Sequence, residues 1–255
     1  MRRRVPAMML IGAAILFIGY RIAQAPSHLL PTPAATSSTD HSASTGHSAI
    51  STSNFAGYEY EIAVRSVAAS FVVPAISTGS PDGSAATWVG VEDYSPGRVV
   101  LIQVGVSEGQ DSGTATYHAI WSDTRLGYVA RPISKTVRPG DLLAASVTLV
   151  RQSWRISLED LTRGWSFTRT VTGLPVRPFH YAEWLQEDPK VLSHPVANAL
   201  PYPAVGLVSF EHLRVNGVSP SLPSSARVTM RFGDGTSVSP SDQQSDGFRL
   251  SESQT

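Results

Sequence analysis

The chain has 255 residues, of which 42% are hydrophobic and 16% charged, and its formal charge is zero. That is enough apolar material for one sizeable core, while the absence of a clustered basic face excludes a nucleic-acid partner. There is no cysteine, which rules out disulfide staples, thiolate nucleophiles and cysteine-ligated metals.

The N-terminus opens on Arg2-Arg3-Arg4, followed by an apolar run from Ala7 to Tyr20 and the small-x-small triplet Ala23-Gln24-Ala25. This is the layout of a secretory signal, with residues 1–25 removed. An uncleaved anchor is the competing reading, but the run falls short of the ~20 residues a spanning helix needs. Without these residues 16 basic side chains stand against 20 acidic ones, a net charge of −4. The mature protein is expected to be secreted and monomeric, with no stable membrane association. Residues 26–52 are Ser, Thr, Pro, Ala and His with few large apolar side chains. Such a stretch cannot bury enough surface to offset its ordering entropy, so it reads as a disordered linker or short propeptide.

From Asn54 the texture changes to short runs of β-branched and aromatic residues. They include Ser70–Val73, Thr87–Val91, Val99–Val104, Leu142–Val150, Trp154–Leu158, Ser166–Val171, Ala204–Phe210 and Arg227–Phe232. Turn signals separate them, among them Pro81-Asp82-Gly83, Arg138-Pro139-Gly140-Asp141 and Gly233-Asp234-Gly235. Many short strands with no helical period between them predict an all-β sandwich or barrel and argue against a parallel α/β sheet. The domain is placed at residues 53–236. Residues 237–255 are polar and read as a flexible C-terminal tail.

The sequence lacks a Gly-x-Ser-x-Gly elbow, a phosphate-cradling glycine loop and a His-Glu-x-x-His pair. His118, His180, His194 and His212 are scattered, which gives little support to an imidazole relay. Carboxylates, amides and aromatics remain. Gln103 interrupts the apolar run Leu101 to Val106, where a buried amide is unfavourable unless it finds partners. Glu183 stands between Ala182 and Trp184, and a carboxyl group beside a large ring loses hydration, which raises its pKa. Each also has a plain reading, as a glutamine on a solvated strand face or a surface glutamate near a ring.

Taken together, these segments resemble the glutamic peptidases, or eqolisins. The resemblance runs from Asn54-Phe55-Ala56-Gly57-Tyr58 through Val67–Pro74, Trp88-Val89-Gly90-Val91, Gln103–Val106, Tyr117–Trp121, Val137–Asp141 and Trp154–Thr162 to Ala182-Glu183-Trp184-Leu185 with Glu187. It implies a two-sheet antiparallel sandwich of the concanavalin A-like, jelly-roll type, acting on polypeptides with neither metal nor cofactor. It also implies a catalytic pair, Gln103 and Glu183, with Glu183 preferred over Glu187 by motif position. Glu183 would deprotonate a water, and the Gln103 amide would stabilise the oxyanion, a donor worth roughly 3 kcal/mol of barrier. Trp88, Glu92, Asp93, Trp121 and Trp184 are the expected substrate-binding residues. The family often has Asp where Glu92 stands, and Asp93 could take that place by a one-residue slip. Trp121 is expected to supply the aromatic subsite in a shifted position, and Trp88 to line the cleft or the core. Two alternatives remain. One is a lectin-like module stacking sugars on Trp88, Trp121 and Trp184. The other is a glycosidase, for which Glu183 and Glu187 lie too far apart, about 13 Å along a strand.

Overall fold

A computed structural model describes residues 50–52, 54–95, 98–127, 129–189 and 202–254. The expected signal and all but the last three residues of the expected linker lie outside the described residues. Fifteen strands make up nearly all the regular structure: β1 (Ile50–Thr52), β2 (Phe55–Val64), β3 (Ser66–Val72), β4 (Gly83–Ser95), β5 (Arg98–Asp111), β6 (Thr114–Asp123), β7 (Arg131–Pro132), β8 (Leu142–Val150), β9 (Ser153–Asp160), β10 (Trp165–Val171), β11 (Phe179–Glu187), β12 (Val208–Val215), β13 (Arg227–Arg231), β14 (Thr236–Pro240) and β15 (Phe248–Gln254).

The strands form one hydrogen-bonded path, in the order β10-β9-β8-β3-β12-β15-β14-β13-β2-β11-β4-β5-β6-β7, with β1 alongside β13. All these pairings are antiparallel except that of β1 with β13. The path folds over at the short β13–β14 pairing, which registers only Met230 with Val238 and Arg231 with Ser237. β4 and β5 thereby come to face β8 and β9. The expected all-β sandwich is present, its two layers continuous along one edge.

The alternation of side chains along each strand sorts residues between the layers from those outside. Val89, Val91, Ile102, Val104, Ala182 and Trp184 point inward and meet Phe71, Leu143, Ile156 and Phe210 of the facing layer in the main core. A ring pair seals it, Trp154 against Phe179 with centroids 4.5 Å apart.

Two boundary expectations are corrected. Residues from 237 onward are not a loose tail, because β14 and β15 pair over five registered positions and β15 continues onto β12. Val238, Phe248 and Leu250 reach the core, and alternation places Ser239 between the buried Val238 and Pro240 and Arg249 between the buried Phe248 and Leu250, which hides the strand pattern behind a polar composition. The end of the expected linker, Ile50–Thr52, is likewise strand, paired with Val228–Met230.

Gly57 shows how tightly the outer layer is assembled. Its φ is +141°, and a Cβ there would lie 2.1 Å from the Trp184 carbonyl oxygen. Gly57→Ala should therefore lower unfolding free energy by roughly 2–4 kcal/mol, through positive-φ strain plus a backbone clash. The shift in urea midpoint at unchanged slope measures it.

Candidate active site

Strand register brings Gln103 and Glu183 together. Gln103 on β5 pairs with Gly90 on β4, and Glu183 on β11 pairs with the same Gly90 from the other side. Directly opposed residues on antiparallel strands share a face, so amide, glycine and carboxyl lie in one row on the outer face of their layer. Ser122 on β6 and Glu59 on β2 extend it, giving Ser122, Gln103, Gly90, Glu183, Glu59 across five strands. The backbones of Gln103 and Glu183 are about 10 Å apart, two strand spacings, and the strand between them carries no side chain at that level. A Cβ on Gly90 would stand 3.1 Å from Gln103 Cβ and 2.9 Å from Trp88 Cζ3. Gln103 and Glu183 are each 1% exposed, on the floor of this face. Neither the nitrogen nor the oxygen of the Gln103 amide has a hydrogen-bond partner, an unfavourable state for a buried amide unless a reacting group is to meet it.

Rows on either side differ in character. Two residues along lie Ile120, Gly105, Trp88, Leu185 and Gly57, followed by Ala86, Glu187 and Phe55. Leu101, Trp88, Ile120, Leu185, Phe55 and Val228 form an apolar cluster separate from the main core. In the opposite direction come Leu101, Glu92 and Tyr181.

Of the residues expected to bind substrate, Trp88 and Glu92 share the face of Gln103 and Glu183. The other three do not. Asp93 is one position from Glu92 and so points to the opposite face, where Arg177 reaches it at 2.8 Å and His180 at 2.9 Å. Trp121 pairs with Val104 and packs in the main core, with the Arg169 guanidinium 4.4 Å from its ring centre. Trp184, 0% exposed, donates its indole N–H to the Ala68 carbonyl of the facing layer at 3.1 Å. Sequence neighbours on a strand point to opposite faces, so the Trp184 ring does not desolvate Glu183. The ring on the Glu183 face is Trp88. Three tryptophans therefore form no common platform, which removes the stacking surface of the lectin-like alternative. Gly90, Ser122 and Glu59 were missed; an isolated glycine inside a strand, a mark of close approach, was the signal for the first.

Trp88 is itself held in place. Its Nε1 donates to Glu187 Oε2 at 3.0 Å, and Phe55 meets its ring edge-on at 6.3 Å. Burial pushes the Glu187 carboxyl well above the ordinary range, the indole hydrogen bond opposing and the Asp188 charge adding. A second buried acid, Glu108, lies on the inner face. Burial raises it from 4.5 to about 8, against hydrogen bonds to Thr87 and Gln186. Thr87 Oγ1 is 2.9 Å from Glu108 Oε1 and 2.5 Å from Gln186 Oε1, one hydroxyl proton for two acceptors. A protonated Glu108 resolves the conflict by donating to Thr87, which then donates to Gln186. A cavity of about 290 Å³, lined by Gln186, Tyr202 and Leu250 among others, borders this inner cluster, and no residue of the Gln103–Glu183 row lines it.

A family model described as the Peptidase A4 family matches residues 53–247. Among solved structures, the chain is similar to scytalido-glutamic peptidase with a transition state analog inhibitor, at 20% identity and TM-score 0.62. It is similar to the same peptidase with a peptide based transition state analog at 22% identity and TM-score 0.64. A third is SCP-B, a member of the eqolisin family of peptidases, in complex with the tripeptide Ala-Ile-His, at 22% identity and TM-score 0.61. Each likeness covers 79% of this chain and 98% of the other, and at these identities it is a likeness of fold. No curated protein matches.

The buried acids set a direction for stability against pH. A folded-state pKa above the unfolded value means that the fold binds the proton more tightly. The contribution of Glu108 is whole below pH 4.5 and is lost as pH climbs through about 8, roughly 1.4 kcal/mol for each pH unit of that window. Thermal unfolding measured from pH 4 to 8 should show Tm falling as pH rises, and Glu108→Gln should flatten the slope.

Proposed function

The chain belongs to the Peptidase A4 family, the glutamic peptidases, and from that premise we propose that it is a secreted peptidase working in acid through Gln103 and Glu183. It is a glutamic endopeptidase, and its substrates are polypeptides. Glu183, as carboxylate, takes a proton from a water held between the two side chains, and the water oxygen attacks the scissile carbonyl carbon. The Gln103 amide N–H donates to the oxyanion that develops on the carbonyl oxygen. As the tetrahedral intermediate collapses, the C–N bond breaks and Glu183 passes its proton to the leaving nitrogen. The carbonyl re-forms as a carboxylic acid, and Glu183 ends as the carboxylate it began as.

The observation that carries this reading is the common pairing of both residues with Gly90. An amide and a carboxyl two strands apart, over a position without a side chain, leave room for one water and one peptide carbonyl. The buried apolar cluster beside them supports it further. In water-poor surroundings a single oriented N–H donor acts more strongly on developing charge than in solvent. Glu92, in the next row on the same face, is the acidic neighbour of the pair; Asp93, in its ion pair with Arg177 on the other face, is not.

Two experiments test it. Gln103→Ala should reduce kcat at acid pH about 10²–10³-fold, and Glu183→Gln about 10²–10⁴-fold, both with unchanged far-UV circular dichroism. Peptide hydrolysis retained at wild-type rate in either variant would sink the assignment. Gly90→Ala should reduce kcat/KM on the order of ten- to a hundredfold while the protein stays folded, because the added methyl displaces Gln103 and Trp88 by fractions of an ångström.

A further inference from the structure

Oxyanion stabilisation needs the nitrogen end of the Gln103 amide, not its oxygen, at the reacting carbonyl. The last torsion of a glutamine is broad and roughly two-fold, and the flipped amide would set a lone pair against the developing negative charge. Something must hold the amide one way round. Within the row, one side is Gly90, which offers no side chain, and beyond it Glu183, which as a carboxylate can only accept. Along β5 on the same face the neighbours are Leu101 and Gly105, and on β6 Ile120, none with a polar side-chain atom. Thr124, just past β6, already accepts from the Leu101 backbone N–H at 3.0 Å.

That leaves Ser122. It is paired with Gln103 across β5 and β6, is 1% exposed, and its Oγ has no hydrogen-bond partner. A buried hydroxyl and a buried amide without partners, side by side on one face, are each unfavourable alone and satisfied by meeting. Directly opposed Cβ atoms lie about 5 Å apart, a separation that staggered rotamers of the serine and the glutamine chain can bridge. We propose that Ser122 is the positioning residue of the catalytic pair, its hydroxyl donating to Gln103 Oε1 so that Nε2 faces Gly90 and Glu183. The direction of the chain is set by charge. Glu183 accepts, so the amide must present N–H on that side. Its oxygen then faces Ser122, which can donate. Such a chain also polarises the amide, making its N–H a stronger donor.

This inference rests on the Gln103–Glu183 reading, and the test separates the two. Ser122→Ala, Ser122→Val and Ser122→Thr are compared with wild type for kcat and KM on one peptide substrate at acid pH, with Tm measured for each. Valine and threonine have nearly the same shape, so their difference isolates the hydroxyl. The Ala and Val variants should lose about three- to tenfold in kcat, the worth of one neutral hydrogen bond, with KM within about twofold. The Thr variant should recover most of the loss. Equal kcat for Val and Thr, or wild-type kcat for Ala, overturns the role of Ser122 while leaving the pair standing. Full activity in Gln103→Ala overturns the pair, and the positioning role falls with it.

Discussion

The structure turns on one register. With β4 between β5 and β11, the pairing of Gly90 to both Gln103 and Glu183 decides which side chains meet. Because strand side chains alternate with period two, a slip of one residue on any of the three strands would send its functional group into the main core. The register is held from within. Val89 and Val91, Ile102 and Val104, Ala182 and Trp184 flank the three positions on the inward face, all buried. A slip would take these out of the main core and set Gln103 or Glu183 among its aliphatic side chains, an unfavourable exchange on both counts. The hydrophobic core thus does more than stabilise the sandwich; it aims the polar row outward.

Burial works on the chemistry as well as on the register. Trp88 is fixed by the hydrogen bond to Glu187, by Phe55 and by its contact with the space above Gly90. A ring so constrained forms an apolar wall on one side of the row, and burial pushes the carboxyl of its partner Glu187 well above the ordinary range. Glu108 on the inner face follows the same logic. These acids are at ease where carboxyl groups are protonated and in difficulty where they are not. The stability that these two acids contribute therefore declines as pH rises.

Much of this was legible in the residues. Alternating β-branched and aromatic runs gave the fold class, and motif order singled out Gln103, Glu183 and Trp88, which the register places on one face. What failed has a common cause. Reading Trp184 as the ring beside Glu183, and Asp93 as interchangeable with Glu92, treats sequence adjacency as spatial adjacency, whereas on a strand it means the opposite face. Trp121 was misplaced for the same reason, since its pairing with Val104 turns it inward. Glu59 could not be found from sequence, because its place in the row depends on the long-range pairing of β2 with β11, whereas Ser122 lies opposite Gln103 on the β5–β6 hairpin, and finding it required fixing the register of the turn at Ser112-Gly113.

The misjudged C-terminal residues show what composition cannot reveal. β14 and β15 are rich in serine, yet they stand between β12 and β13 in the sheet order, on the path by which one layer passes into the other. Val238, Phe248 and Leu250 turn inward, and on the other face serines meet one another across the strands, as Ser237 and Ser253 do at 3.1 Å. A strand with one solvated face needs only every second residue to be apolar, and a short one then averages out as polar. β13 is also the neighbour of β2, which carries Glu59 opposite Glu183. The hinge strand β13 and the strand at the edge of the candidate site are therefore adjacent, and β14, beside β13 on its other side, also packs on β2, so the segment that looks most dispensable by composition braces the layer on which the polar row is built.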